Sequence, residues 1–216
     1  MTPDPRPSDQ DEKRNRAADR ENRRPIAHEI EPAEPEEFGC VQVWWGDGKG
    51  KTTAALGMGF RAAGHGYRVH LLQFMKGGAG SVDDVRGEYN AIERLPTFTY
   101  EATGEYGWHG FADGSDDDAH GARAEAGLER ARDLASDPEH HMLILDEVLY
   151  AANRGLIGPD DVVGLIESKA PDLELVLTGG HSKPTYIYDV ADLITNVRKE
   201  RHMIDAGQGA RKGTEY

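Results

Sequence analysis

An α/β fold, with a mostly parallel sheet carrying helices on both faces, is what this 216-residue sequence predicts. Three observations predict it. From Phe38 onward, short apolar runs alternate with helical stretches, a pattern that implies right-handed crossovers between parallel strands. Between the first run and the first helix stands Gly46-Asp47-Gly48-Lys49-Gly50-Lys51-Thr52-Thr53, a glycine-rich loop of the phosphate-binding kind, which makes the sheet P-loop NTPase-like. Further on, Met142-Leu143-Ile144-Leu145 closes on Asp146-Glu147, the acidic element that such a loop requires.

Residues 1–37 alternate Pro, Asp, Glu, Arg and Asn with few apolar side chains, so little burial would offset the entropy of ordering them. They are expected to form a disordered tail, with one domain over residues 38–216. Residues 40–45 read as the first strand and 53–64 as the first helix, ended by Gly64-His65-Gly66. Residues 67–74 are the next strand, 77–80 a flexible loop, 83–92 a short helix and 98–100 a short strand. Residues 103–115 are rich in glycine and aromatics, including Tyr106 and Trp108, without helical or strand period, as a ligand-facing loop is. Residues 116–135 form an alanine-rich helix ended by Asp137-Pro138. After the strand 142–147 come a helix at 159–169, a strand at 173–178, a helix at 184–190 and a strand at 193–197.

The chemistry sits at the loop. Its glycines let backbone N–H groups turn inward on an anion, the following helix aims its positive dipole end the same way, and Lys51 adds a full charge. Thr52 is placed to hold Mg²⁺, and because P-loop and strand 142–147 open on the same sheet edge, Asp146 or Glu147 can meet that ion. The loop departs from G-x-x-x-x-G-K-T at one position: Trp45 stands where the first glycine falls, and Gly46 follows it. Arg61, on the same helix, is a further candidate for a phosphate.

A formal charge of −14, from 39 acidic and 25 basic residues, argues against a nucleic-acid partner but leaves a focused anion site open. Cys40 is the only cysteine, so neither an intrachain disulfide nor a cysteine metal cluster can form. No apolar run is long enough to cross a bilayer, and residues 1–30 are charged where a signal peptide is apolar. A soluble cytoplasmic protein is expected. The histidines are not spaced as a metal cluster.

With these motifs placed, the chain from about Gly39 to Tyr216 resembles the P-loop ATP:corrinoid adenosyltransferases. The resemblance rests on Gly46 to Ala55, including the shifted first glycine, with Asp47 where Asn is common. It extends to Arg61-Ala62-Ala63-Gly64-His65-Gly66, Gln73-Phe74-Met75-Lys76-Gly77, Leu145 to Ala151, Val176-Leu177-Thr178-Gly179, His202 to Gly207 and the terminal Gly213-Thr214-Glu215-Tyr216. Two departures stand out: Gly180 replaces the arginine of Thr-Gly-Arg, and Gly209 replaces a lysine. His181, Lys183, Arg211 and Lys212 are the cations available to substitute.

The resemblance implies transfer of the 5′-deoxyadenosyl group of ATP to the Co(I) of a reduced corrinoid, with release of triphosphate, in adenosylcobalamin biosynthesis or salvage. It implies ATP contacts from Gly46, Asp47, Gly48, Lys49, Gly50, Lys51, Thr52, Thr53 and Arg61, with the N–H groups of residues 48–53 on the phosphates. No acid, base or nucleophile is implied: Lys51 stabilises the leaving group, and Thr52 with Asp146 or Glu147 holds Mg²⁺. Tyr106 and Trp108 are implied to face the corrinoid and keep its cobalt four-coordinate. A homodimer is implied, and an electron donor protein is a conceivable partner. Another P-loop ATPase or small-molecule kinase, or a non-catalytic nucleotide- and corrinoid-binding relative, is the alternative.

Overall fold

The computed structural model describes residues 30–77, 86–104 and 117–214. Six strands, β1 (Val41–Trp45), β2 (Val69–Gly77), β3 (Phe98–Gly104), β4 (Met142–Asp146), β5 (Glu174–Thr178) and β6 (Leu193–Asn196), form one sheet in the order β3-β2-β4-β5-β1-β6. All five pairings are parallel. The helices are α1 (Lys51–Gly64), α2 (Gly87–Ile92), α3 (Asp117–Ser136), α4 (Val148–Asn153) and α5 (Pro159–Ser168), with 3-10 turns at Thr185–Ile187 and Met203–Ala206.

The strands of a two-sided parallel sheet are apolar at every position, because both faces are covered. β4 and β5 are buried throughout. Leu143 and Leu145 join one core with Leu175, Leu177, Phe74, Leu134 and Leu165, while Met142 and Ile144 join the other with Val176, Leu71, Leu56 and Phe98. Alternate side chains of one strand thus feed two cores, and the expected helices on both faces are present.

Four elements differ from the sequence reading. The helix expected over 184–190 is a single 3-10 turn held by i→i+3 bonds from Ile187, Tyr188 and Val190. Thr, Tyr, Ile and Val are poor helix formers, and seven residues are too few to overcome nucleation. α4 was not anticipated, because it starts directly after β4 on the left-handed Glu147 (φ 64°) with no cap signal. β2 and β3 run on to Gly77 and Gly104, with a register shift between Gln73 and Gly77 and Met75 at φ 57°.

Part of the segment assigned to the tail lies against the domain. The Ala33 N–H donates to Gly66 O at 3.1 Å, and Glu34 meets Arg68 Nη1 at 3.0 Å and His141 Nε2 at 2.7 Å. Arg68 holds the Glu34 carboxyl below its usual range. Among the described residues, no helix is long and apolar enough to cross a membrane.

Candidate functional site

β1 runs out at Trp45 and the chain turns at Gly46, whose φ of 125° excludes a side chain. A Cβ there would lie 2.2 Å from Val197 O. The glycine is displaced by one residue because Trp45 completes the pairing of β1 with β6, and the turn follows it. The loop's first half is tied to its surroundings: Gly46 N–H donates to Gly180 O (2.9 Å), Val197 N–H to Trp45 O (2.7 Å) and Gly48 N–H to Val197 O (2.8 Å). Asp47 Oδ1 accepts from the Lys199 N–H at 3.2 Å, and Lys199 Nζ pairs with Asp205 at 3.3 Å. The Gly48 N–H, expected on a phosphate, is therefore engaged with Val197, so the inward-facing donors begin later in the loop.

α1 starts at Lys51, preceded by Gly50 at φ 114°, and its ladder opens with Ala54 N–H on Gly50 O at 2.8 Å. The N–H groups ahead of that bond lie before the first intrahelical carbonyl, where helix geometry presents them to an incoming anion. Lys51 Nζ folds back over the loop and donates to Gly46 O (2.7 Å) and Gly48 O (2.9 Å). Lys49 and Thr53 are exposed beside it.

The acidic end of β4 meets α1 across an intervening strand. Thr52 Oγ1 donates to Asp146 Oδ1 at 2.8 Å, and Thr178 Oγ1, on β5, donates to the same oxygen at 2.5 Å. Asp146 Oδ2 accepts from Gln73 Nε2 at 2.9 Å. Tyr89 donates its hydroxyl to Gln73 Oε1. Asp146, Gln73 and Thr178 are all fully buried. Burial pushes the Tyr89 hydroxyl up to about 12, so it stays a donor. Glu147, the residue before α4, donates its N–H to Thr178 Oγ1 at 3.1 Å, and a Cβ on Gly179 would come within 2.8 Å of its Oε2.

The donor set suits Mg²⁺, a hard ion that takes one or two protein oxygens and fills its shell with water and phosphate. Thr52 and Asp146 supply a hydroxyl and a carboxylate on one spot. Among the described residues no group of three His, Cys, Asp or Glu forms a closed protein cage for a metal.

Arg61 is exposed in the last turn of α1, ten residues from Lys51 and, at 1.5 Å per residue, about 15 Å along the helix from its phosphate end. Tyr106 and Trp108 lie outside the described residues. Gly180, at φ 70°, sits where a Cβ would come within 2.6 Å of Asn153 Oδ1, which accepts the Ser182 N–H at 3.1 Å, so the arginine of the resembled pattern would have to displace that amide. His181 and Lys183 are exposed nearby, with Lys183 Nζ 4.6 Å above the Tyr188 ring. Gln73, Tyr89 and Thr178 were not singled out from the sequence as site residues. For Gln73 and Thr178 the signal was an uncharged polar residue at or near the end of an apolar run, too common to interpret alone, and Tyr89, inside the short helix Gly87–Ile92, carried no such signal.

Comparison with known proteins agrees with this geometry. The family model described as ATP:corrinoid adenosyltransferase BtuR/CobO/CobP matches residues 37–216. A corrinoid adenosyltransferase of Pseudomonas aeruginosa is 34% identical over 183 residues, 84% of this chain and 85% of that protein. Corrinoid adenosyltransferase CobA of Salmonella typhimurium is 32% identical, covering 84% and 87%. A Sinorhizobium corrinoid adenosyltransferase is 31% identical, covering 97% and 95%. Among solved structures, ATPases 2 and 3 of EssC from Geobacillus thermodenitrificans overlap 80% of this chain and 34% of that one, at 12% identity and a TM-score of 0.35, too loose a likeness to bear on function. On the family match across the P-loop, the Asp146 strand and the remainder of the domain, the chain belongs to the ATP:corrinoid adenosyltransferase family.

Proposed function

We propose that this chain transfers the 5′-deoxyadenosyl group of ATP to the Co(I) of a reduced corrinoid. The observation that carries the reading is the Lys51, Thr52 and Asp146 constellation, in a chain that its family's model spans from residue 37 to 216. The Co(I) electron pair attacks the 5′ carbon, the C5′–O bond breaks, cobalt becomes formally Co(III), and the triphosphate leaves with the bonding electrons. The chain's task is to receive that leaving group. Lys51 exchanges the Gly46 and Gly48 carbonyls for phosphate oxygens, a stronger charge-assisted contact. The N–H groups at the start of α1 and the helix dipole stabilise the charge that develops on the departing oxygen.

Thr52 and Asp146 would hold Mg²⁺, and that ion supplies Lewis-acid stabilisation of the triphosphate when bound. Asp146 is fully buried and already aligned by three donors, so its carboxylate needs no rearrangement to meet a cation at Thr52. No side chain acts as a general base, since the corrinoid brings its own nucleophile. Tyr106 and Trp108 are proposed to wall the cobalt's lower face. A cytoplasmic setting, a homodimer and a separate protein donor of electrons complete the reading.

An anaerobic assay tests it: chemically reduced cob(I)alamin, ATP and Mg²⁺ are mixed with the protein, and loss of the Co(I) absorption is followed together with triphosphate. Co(I) loss matched by triphosphate, one for one, is expected. ATP turned to ADP with the Co(I) band intact would overturn the reading and favour a kinase or ATPase.

A further inference from the structure

β2 and β4 pair in parallel with Gln73 opposite Asp146, so these two side chains share one face of the sheet one strand apart. The carboxylate accepts hydrogen bonds and donates none, which forces the amide of Gln73 to present its Nε2, at 2.9 Å from Oδ2. Its Oε1 then points the other way and accepts from the Tyr89 hydroxyl. Tyr89 is held in turn: its ring stacks on Tyr100 of β3, centroids 4.2 Å apart and planes within 6°, and it is 6% exposed. With Oδ2 tethered, Oδ1 is left facing Thr52 and Thr178.

We propose that Gln73 and Tyr89 are positioning residues for the metal–nucleotide centre: the chain Tyr89, Gln73, Asp146 fixes the plane of the Asp146 carboxylate so that Oδ1 faces the cation at Thr52. The proposal rests on the nucleotide–metal part of the function given above and not on corrinoid chemistry. Without the Tyr89 hydroxyl, Gln73 Oε1 would be left buried without this donor, the amide would rotate, and the carboxylate would lose its tether on one side. Neither residue touches the reacting atoms, so their effect belongs in metal affinity and not in the chemical step.

The test is Tyr89→Phe, which keeps the ring and its stack on Tyr100, with Gln73→Met as a second variant that removes both polar ends of the amide. Binding of Mn²⁺ to the protein with ATP present is followed by the electron paramagnetic resonance signal of free Mn²⁺, and thermal unfolding is recorded on the same samples. Tyr89→Phe is expected to weaken Mn²⁺ binding about three- to tenfold, the loss of one buried hydrogen bond, and Gln73→Met by more. Metal-free ATP binding should stay within twofold of wild type. In the transfer assay the Mg²⁺ concentration for half-maximal rate should rise by the same factor, with kcat at saturating Mg²⁺ within twofold. A lowered melting temperature with unaltered Mn²⁺ affinity in Tyr89→Phe assigns the pair a purely structural role and overturns the proposal. Because Mn²⁺–ATP binding needs no corrinoid, absence of adenosyl transfer would sink the functional reading while leaving this result readable.

Discussion

Two buried carboxylates stand on neighbouring strands at opposite edges of the sheet, and they are held by different kinds of partner. Asp146, at the C-terminal end of β4, is bonded to side chains: the hydroxyls of Thr52 and Thr178 and the amide of Gln73. Glu174, first residue of β5 and 5% exposed, is held by backbone at one oxygen, the N–H groups of Gly39 and Cys40 reaching Oε2 at 3.0 and 2.9 Å, and by the Gln42 amide at the other, Nε2 to Oε1 at 2.5 Å. A hydroxyl can rotate and yield its acceptor to a cation. A backbone N–H is fixed by the strand that carries it. The first arrangement is poised for a ligand, and the second pins the entry of β1 to β5, helped by Lys169 Nζ on Gly39 O at 2.6 Å.

By that contrast, substitutions at the two ends of these strands separate activity from stability. The largest effect belongs to Lys51→Ala, which should lower kcat for adenosyl transfer by about 10²–10³-fold, the usual cost of losing a transition-state donor, with the melting temperature unchanged. Asp146→Asn comes next. It should raise the Mg²⁺ requirement by about 10- to 100-fold, measured as the half-saturating concentration, while urea unfolding moves less, because Gln73 can turn its amide so that Oε1 accepts from the new Nδ2 and Nε2 donates to the Tyr89 hydroxyl. At the other edge, Glu174→Gln should cost about 1–3 kcal/mol in urea unfolding, because charge-assisted bonds to backbone become neutral ones, with transfer per folded molecule within twofold. A loss of activity in Glu174→Gln at full stability would break the comparison.

The smallest effect sharpens it with pH. His70 on β2 is 4% exposed, its Nδ1 is 2.8 Å from Thr99 Oγ1, its Nε2 is 3.7 Å from Glu101, and the His140 ring is 5.2 Å away. Burial above all, then the neighbouring His140, lowers it from 6.5 to about 4, against an opposing pull from Glu101. Folding therefore favours the neutral ring. Its contribution is whole above pH 6.5 and is lost as pH falls toward about 4, because the unfolded chain takes up the proton first, at about 1.4 kcal/mol per pH unit. His70→Gln should flatten that slope in urea unfolding between pH 6.5 and 4.5. The Mg²⁺ requirement measured at pH 7 should not change.

Much of the site was legible because its parts are local or obey the rule that parallel strands open on one edge. Lys51 and Thr52 follow from the loop, and the meeting of Thr52 with Asp146, 94 residues apart, follows from that rule. The distance of Arg61 from the loop is a matter of helix geometry: ten residues span about 15 Å, and membership of the same helix is not proximity. The engagement of Gly48 by Val197 was hidden, since nothing near residue 197 marks it as a partner of a loop about 150 residues earlier. Gln73 and Tyr89 were equally silent, since their partnership depends on which strand lies beside β4.

The sequence by itself determined the α/β class, the phosphate loop and the acidic strand end, because each is written in a contiguous stretch whose periodicity or composition has one physical reading, while the family followed from the resemblance of several motif blocks along the chain. Strand order was left to the tertiary structure. Parallel strands gain their pairing from crossovers and shared cores, not from neighbours in the chain, and it is the placement of β5 between β1 and β4 that inserts Thr178 beside Asp146. The same packing set Gln73 opposite that carboxylate and brought the Asn153 amide against Gly180.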